Sequence, residues 1–196
     1  TVRVIYKDEE YEITTYRSDG EYVDSRHPAE VIYSDNVEED LKRRDFTINA
    51  MAWNDKRGLI DLFGGIDDLK NGVVRAVGRS KDRINEDALR MLRAVRFSSR
   101  YGFKIEETLK DSIIELGEKI NWVSEERILV ELEMLLSSTA PDRAIESLAE
   151  TKLLKYILPE IEALRSESNY SKFLYNLTLK FIKEIEGNIN LRWAAL

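Results

Sequence analysis

The first third of the chain alternates between polar and apolar positions, as the two faces of a β-strand do. Residues 1–6 and 11–16 are rich in β-branched and aromatic residues, and a short charged connection separates them. This pattern predicts a β-hairpin. Further short strands are predicted at 31–33 and 59–63, and the polar, glycine-containing stretch 17–28 is predicted to be a loop.

From about residue 80 onward, the apolar residues recur instead with the period of an α-helix. Asn85 predicts the N-cap of a helix over 86–100, because two acidic residues follow it, and Gly102 predicts the end of that helix. A shorter helix-like stretch is predicted to open at 38–41 and to continue through 42–52. Later helices are predicted at 106–117, 124–137, 141–150, 152–157 and 170–186. The predicted fold class is therefore α+β, with a small β-sheet and helices at the front and helices alone behind.

The composition excludes several kinds of site. The 196 residues contain no cysteine and a single histidine, His27, which excludes disulfides, thiolate metal sites, cysteine nucleophiles and clusters of histidine ligands. Any metal would be held by oxygen atoms. No apolar run approaches the roughly 20 residues that a membrane span needs, and no signal pattern opens the sequence. We therefore expect a cytoplasmic protein with no membrane partner.

Charge is distributed unevenly along the chain. The net charge of −7 argues against a nucleic-acid-binding surface over the whole protein. Residues 75–104, however, hold nine basic and three acidic residues, a local net charge of +6. Because the field in a cleft depends on nearby charges more than on the total, this block predicts a local anion site.

The predicted helix over 86–100 concentrates this positive charge. At about 100° per residue, Arg90, Arg93, Arg96 and Arg100 share one arc of the helix, and Asp87 lies one turn before Arg90, within reach of an i,i+3 pair. Such an arc can be a solvated face with ordinary ion pairs. Because no acid follows Asp87 within the helix to neutralise the other arginines, an external anion is the better interpretation.

A carboxylate beside a guanidinium could also read a nucleobase. Cytosine and adenine present an amine donor next to a ring-nitrogen acceptor, whereas uracil and guanine present the opposite order. A carboxylate that accepts from the amine and a guanidinium that donates to the ring nitrogen would select C and A. By spacing alone, this is a weak indication.

Four longer motifs carry a resemblance to a known family. They are KRRDFTINAMA at 42–52, DLFGG at 61–65, EDALRMLRAVRF at 86–97 and SEERILVELEMLL at 124–136. In this order and spacing they resemble the middle motifs of the class II tRNA nucleotidyltransferases, the family of the bacterial-type CCA-adding enzymes and poly(A) polymerases. The resemblance covers about residues 1–160.

The resemblance implies roles for individual residues. Asp87 and Arg90 would read the base, Arg44 would contact the incoming nucleotide, and Asp45 would lie near its ribose. Glu12, on a strand, matches an active-site carboxylate near the metal, although an exposed strand glutamate would give the same pattern. The residues implied to hold the nucleotide through its phosphates are Arg93 and Arg96.

The same resemblance implies a domain plan and an activity. Residues 1–75 would be the C-terminal part of a nucleotidyltransferase head, 76–138 a helical neck that binds the base and RNA, and 139–196 a helical body, truncated before a possible metal-dependent phosphohydrolase (HD) domain. The parent enzyme would add C, C and A from CTP and ATP to tRNA 3′ ends with Mg²⁺ and without a template. The stretch 17–28 resembles the intact flexible loop of members that can add A.

Two alternatives remain open at this point. A poly(A) polymerase of the same family would not stop after three nucleotides. A non-catalytic RNA-binding helical module would use the basic block for backbone contacts alone, and its binding would depend strongly on salt without selecting a base.

The resemblance implies a metal-binding Asp-x-Asp pair upstream of the hairpin, and the adjacent Asp67 and Asp68 have neither its spacing nor its place. Phosphoryl transfer depends on metal ions that clamp the triphosphate and activate the attacking hydroxyl. We therefore predict that the isolated 196-residue chain incorporates no nucleotide into tRNA that lacks its CCA end. The test is incorporation of labelled CTP and ATP, and incorporation above background would show that the active site is complete.

Overall fold

The computed structural model describes residues 1–19 and 31–196. Most of the predicted loop 17–28, with His27, lies outside the described residues. At the N-terminus, β1 (Val2–Tyr6) pairs antiparallel with β2 (Glu9–Ile13). The two residues between them, Lys7 and Asp8, adopt positive φ angles of 51° and 62°, as a tight two-residue hairpin turn requires. The predicted hairpin is confirmed, and every residue of its two strands is exposed.

The other described strands also form two-stranded sheets. In sequence order they are β3 (Arg17–Asp19) with β4 (Val31–Tyr33), β5 (Met51–Asn54) with β6 (Gly58–Asp61), and β7 (Val73–Val74) parallel to β8 (Lys104–Ile105). The strands predicted at 31–33 and 59–63 are therefore present. The prediction of a loop was wrong for the residues of β3, because they extend the chain beside β4.

The helix-like stretch predicted from residue 38 to residue 52 is shorter than expected. Helix α1 (Val37–Lys42) ends before the RRDFT residues, which lead into a 3-10 turn at Thr47–Asn49 and then into β5. The chain leaves the helix because Phe46 is extended, buried to 1% exposure and bridged to Ala76. Tertiary contact therefore outweighs local helix propensity here.

The Gly64–Gly65 pair begins a helix that was not predicted. Gly64 has a φ of 73° and precedes α2 (Gly65–Asn71). A Cβ atom at Gly65 would lie 2.3 Å from the carbonyl oxygen of Thr47, so only glycine permits this close approach. Asp61 accepts hydrogen bonds from the backbone N–H groups of Gly65 (2.8 Å) and Ile66 (2.9 Å), which caps the start of the helix.

The helix predicted over 86–100 begins later than predicted, because a separate helix ends where it was expected to start. Helix α3 (Ser80–Glu86) ends at Asp87, whose φ of −153° and ψ of 106° are extended, and α4 (Arg90–Tyr101) begins after it. Asn85 is therefore not an N-cap but lies within α3, where its side-chain oxygen accepts from Lys119 at 2.7 Å. The predicted end at Gly102 is confirmed, with φ of 68°.

The remaining helices follow the predicted periodicity closely. These helices are α5 (Glu107–Leu116), α6 (Glu125–Leu136), α7 (Pro141–Glu150), α8 (Leu154–Ile157), α9 (Pro159–Ala163), α10 (Asn169–Glu184) and α11 (Ile189–Ala195). Two short ones, α9 and α11, were not predicted. None of the helices in the described part of the chain is long and apolar enough to cross a membrane.

Helix α4 lies at the centre of the core. Met91, Leu92, Ala94 and Val95 are fully buried, and the helix packs against α6 and α7. One cluster of buried apolar side chains extends from Phe46 to α10, so the same helix that carries the arginine arc is held in place by the core. The domain boundaries at 75 and 138 remain predictions.

The capping role of Asp61 leads to a stability prediction. Burial raises the pKa of Asp61, but the hydrogen bonds from Ile66, Gly65 and their neighbours outweigh that effect and hold the pKa below its ordinary value. We expect Asp61→Ala to lower the free energy of unfolding by about 1–2 kcal/mol at neutral pH.

The difference in the free energy of unfolding between the wild type and Asp61→Ala should narrow as the pH falls below about 4. The stabilisation by Asp61 is complete above its unfolded-state pKa and is lost as the native carboxylate is protonated. Thermal unfolding between pH 3 and pH 7 measures it. Asp55→Ala, in the exposed turn between β5 and β6, is the matched control. An equal loss in both variants would contradict the capping role.

Candidate functional site

A cavity of about 570 Å³ opens where the segment after α1, the break between α3 and α4, and the first turn of α6 meet. Aspartates at 45 and 87, Asn49, Leu89 and Phe97 line it together with arginines. The arginines of the lining are Arg17, Arg43, Arg44, Arg90, Arg93 and Arg127. Cationic side chains therefore outnumber carboxylates, which favours an anionic ligand.

The structure brings together five of the seven residues predicted for the site. Arg44, Asp45, Asp87, Arg90 and Arg93 all line the cavity. They come from two parts of the chain about 40 residues apart, and the core contacts of Phe46 and α4 bring these parts together.

Asp87 does not pair with Arg90 in the way the helical spacing predicted. Its Oδ2 atom accepts a hydrogen bond from Nη2 of Arg127 on α6 at 2.7 Å, and its Oδ1 atom accepts from the backbone N–H of Leu89 at 3.1 Å. The prediction was wrong because it placed residue 87 inside a helix, whereas the backbone there is extended. A carboxylate offers about four acceptor positions, so Asp87 retains capacity toward the cavity.

Arg90 is held by three partners instead. Its Nη1 atom donates to Oε2 of Glu86 at 2.6 Å and to the carbonyl of Arg83 at 3.0 Å, and its Nη2 atom donates to the carbonyl of Arg43 at 3.0 Å. Arg90 therefore ties the end of α3 to the segment after α1. Because a guanidinium has five N–H groups, Arg90 still has donors left for a ligand.

The arginine arc is neutralised by acids from other parts of the chain. Arg93 donates from Nε to Oδ2 of Asp45 at 2.7 Å, and its Nη1 atom lies 3.5 Å from Oε1 of Glu131. The other oxygen of Glu131 lies 2.7 Å from Nε of Arg96. The sequence analysis considered acids within this helix alone, whereas the structure supplies Asp45 and Glu131 from other segments.

Burial and charge compete at Arg93, which is 32% exposed. Desolvation lowers its pKa, but the charges of Asp45 and Glu131 outweigh that effect, so the pKa is raised. Asp45 uses both oxygens: besides Arg93, it accepts from the N–H of Phe46 at 2.8 Å and from Asn49 at 3.0 Å. The guanidinium of Arg93 therefore stays charged and fixed at the cavity wall.

A second buried carboxylate holds the arginines before Asp45. Asp40 is 2% exposed and accepts hydrogen bonds of 2.6 Å from Nη2 of both Arg43 and Arg44. Burial raises the pKa of Asp40, but the hydrogen bonds from Arg44 and Arg43 hold it below the ordinary value. Arg44 remains 42% exposed and faces the cavity with its orientation fixed.

Two predicted site residues lie elsewhere. Arg96 is 8% exposed, does not line the cavity, and is enclosed by Glu131 and by the Phe97 ring, whose centroid is 4.6 Å away. Its predicted phosphate contact has no support in this geometry. Glu12 lies on the exposed hairpin, outside the cavity lining, where it faces Arg3 at 3.6 Å.

The sequence analysis did not predict several residues of the site, among them Asp40, Arg127 and Glu131, which hold its charged side chains. The motif at 124–136 does contain a signal, because Arg127 and Glu131 are four residues apart and so share one face of α6. Periodicity shows that they share a face, but not which residues that face meets.

The described residues do not assemble a metal site. Within 1–19 and 31–196, no group of three or more histidine, cysteine, aspartate or glutamate side chains is placed to hold a metal ion. The carboxylates that line the cavity are committed to arginines, and Asp68 accepts from Thr47 at 2.7 Å and from Arg75 at 3.1 Å. These residues alone do not fit the Mg²⁺ that the resemblance implies.

Comparison with known proteins gives the same family from sequence and from structure. Residues 1–75 match the family described as "Poly A polymerase head domain", and residues 102–164 match "Probable RNA and SrmB- binding site of polymerase A". A CCA-adding enzyme of Pediococcus pentosaceus is 46% identical over 156 residues, which is 80% of this chain and 39% of that protein.

Solved structures of relatives resemble the fold. A Bacillus stearothermophilus CCA-adding enzyme in complex with CTP is 33% identical, with a TM-score of 0.73 over 99% of this chain and 43% of that one. A Thermotoga maritima CCA-adding enzyme complexed with tRNA is 28% identical, with a TM-score of 0.54 over 81% of this chain and 43% of that one. The chain spans about two fifths of the length of the curated relatives it matches. It belongs to the nucleotidyltransferase family that contains the CCA-adding enzymes and the bacterial poly(A) polymerases.

Proposed function

We propose that this chain holds and reads the incoming nucleotide in an enzyme that adds C, C and A, from CTP and ATP, to the 3′ ends of tRNA. The observation that carries the proposal is the cavity in which the carboxylate of Asp87 lies among arginines. The relatives support it, since they are named CCA-adding enzymes and solved structures contain CTP or tRNA.

Base selection rests on Asp87 and Arg90. The carboxylate of Asp87 accepts from the exocyclic amine of cytosine or adenine, and a remaining N–H group of Arg90 donates to the neighbouring ring nitrogen. Uracil and guanine present the opposite order, so they would place a carbonyl oxygen against the carboxylate. The unfavourable pairing rejects them without a nucleic-acid template.

The triphosphate would be held by Arg44 and Arg93. Both are partly exposed at the cavity wall, and each is oriented by a buried carboxylate, Asp40 or Asp45. Preorganised guanidinium groups bind phosphate oxygens bidentately without a further ordering cost. Because Asp45 already accepts from Phe46, Asn49 and Arg93, it has less acceptor capacity left than Asp87, and we propose that it acts through Arg93 rather than by direct contact with the ribose.

The rest of the proposal concerns the complete enzyme. The described residues form no site for Mg²⁺, so in the complete enzyme other residues would hold the ion, and it would supply positive charge for phosphoryl transfer. Glu12 remains the candidate of this chain for a place near that ion. We propose that the RNA partner is the 3′ end of tRNA and that the complete enzyme acts in the cytoplasm.

A poly(A) polymerase of the same family is the second candidate, because the head-domain family that matches residues 1–75 bears that name. The number of nucleotides added distinguishes a CCA-adding enzyme from a poly(A) polymerase. With the complete gene product and tRNA lacking its CCA end, we expect extension by three nucleotides and then arrest, read at single-nucleotide resolution on a gel. Continued addition of A would favour the polymerase.

Asp87→Asn tests how the base is read. The amide can donate where the carboxylate only accepts, so we expect kcat/KM to fall for CTP and ATP and to rise for UTP relative to CTP. A lost contact of this kind costs about 1–3 kcal/mol. The measurement is single-nucleotide incorporation of all four triphosphates by the complete gene product.

Asp111→Asn, on the exposed side of α5, is the matched control and should leave all four rates unchanged. If Asp87→Asn kept the wild-type ratios among the four triphosphates, Asp87 would be a structural carboxylate and the base would be read elsewhere.

A further inference from the structure

Arg127 lines the same cavity but has no role in the proposal above. It lies in the first turns of α6, and its side chain is 25% exposed. Its Nη2 atom donates to Oδ2 of Asp87 at 2.7 Å, across 40 residues of sequence. It is the side chain that contacts the carboxylate proposed to read the base, whereas Arg90 contacts Glu86 instead.

The backbone around Asp87 gives its carboxylate little restraint of its own. The residue is extended and lies between α3 and α4 rather than within a helical turn. One oxygen is held by the N–H of Leu89, and the other by Arg127 alone among the described residues. Without Arg127, rotation about the side-chain bonds would leave the second oxygen free to turn.

A competing cation is within electrostatic reach. The charge of Asp87 contributes to the raised pKa of Arg93, after the contributions of Asp45 and Glu131. A carboxylate released from Arg127 would therefore be drawn toward the guanidinium that is proposed to hold phosphate. Such a pair would remove an acceptor from the base and a donor from the phosphates.

We propose that Arg127 is a specificity-determining positioning residue, which holds the carboxylate of Asp87 so that its remaining acceptor positions face the amine of the incoming base. This inference rests on the proposed function. Arg127 acts through Asp87, and its own contact with the substrate is not required.

The position of Arg127 on α6 adds a coupling. Glu131 lies one turn further along the same helix and holds Arg93 and Arg96. A single rigid helix, packed against α4, thus orients both the base reader and the arginine at the phosphate side. The distance between the two is therefore set by the helix rather than by loops.

The test replaces Arg127 by Met and by Lys in the complete gene product. For Arg127→Met, we expect the ratio of kcat/KM for CTP over UTP, and for ATP over GTP, to fall by roughly tenfold, as for loss of one good base contact. Arg127→Lys keeps a cation and should restore part of the selectivity. Arg165→Met, which removes an exposed i,i+3 pair with Glu162, is the control and should leave the ratios unchanged.

The double variant Arg127→Met with Asp87→Asn separates positioning from general support. If Arg127 acts through Asp87, the double variant should be no less selective than Asp87→Asn alone. Equal loss for all four triphosphates in Arg127→Met, with unchanged ratios, would overturn the inference and make Arg127 a phosphate contact or a structural residue.

Two further outcomes are also decisive. If Arg127→Met does not fold, as thermal unfolding would show, Arg127→Gln is measured by the same criterion, and wild-type ratios in that variant overturn the inference. If the complete wild-type gene product adds neither C nor A to tRNA, the proposed function itself fails. That outcome is distinct from a wild-type enzyme whose selectivity does not depend on residue 127.

Discussion

The arrangement of the site depends on the ion pairs that the buried carboxylate of Glu131 makes with Arg93 and Arg96. Glu131 is only 3% exposed. A buried charge that loses its partner costs several kcal/mol, so these groups have to remain together. Through Arg93 the network reaches Asp45, which precedes the buried ring of Phe46. Helix α6, helix α4 and the segment after α1 are thereby fixed relative to one another.

The apolar core and the charged network hold the same helix from opposite sides. The buried residues of α4, such as Met91 and Val95, pack into the main hydrophobic cluster, while its arginines face acids from neighbouring segments. Burial of apolar surface supplies most of the favourable free energy of folding, and the ion pairs set the orientation of side chains at the cavity. A rotation of α4 about its axis would break both sets of contacts.

The cavity is consequently organised before any ligand binds. Its guanidinium groups are held by Asp40, Asp45 and Glu131, and the carboxylate of Asp87 is held by Arg127. Charged groups that are already oriented need no rearrangement when an anion and a base enter, which is the physical basis of selectivity by a protein surface. Carboxylates neutralise most of the positive charge of these arginines, yet the side chains of Arg44 and Arg93 remain partly exposed on the cavity side.

Local sequence patterns predict the hairpin and most of the helices, because periodicity and turn-forming glycines act within a short stretch of chain. The roles of the five residues that meet in the cavity were implied by the resemblance of their motifs to a known family. Tertiary structure decided the rest. The chain breaks at Asp87, where local pattern favours a continuous helix, and unwinds before Phe46, which the core buries. It also decided which acid meets which arginine. The ion pairs that link different segments join residues far apart in the sequence, such as Asp87 and Arg127, and the periodicity of one helix does not indicate them.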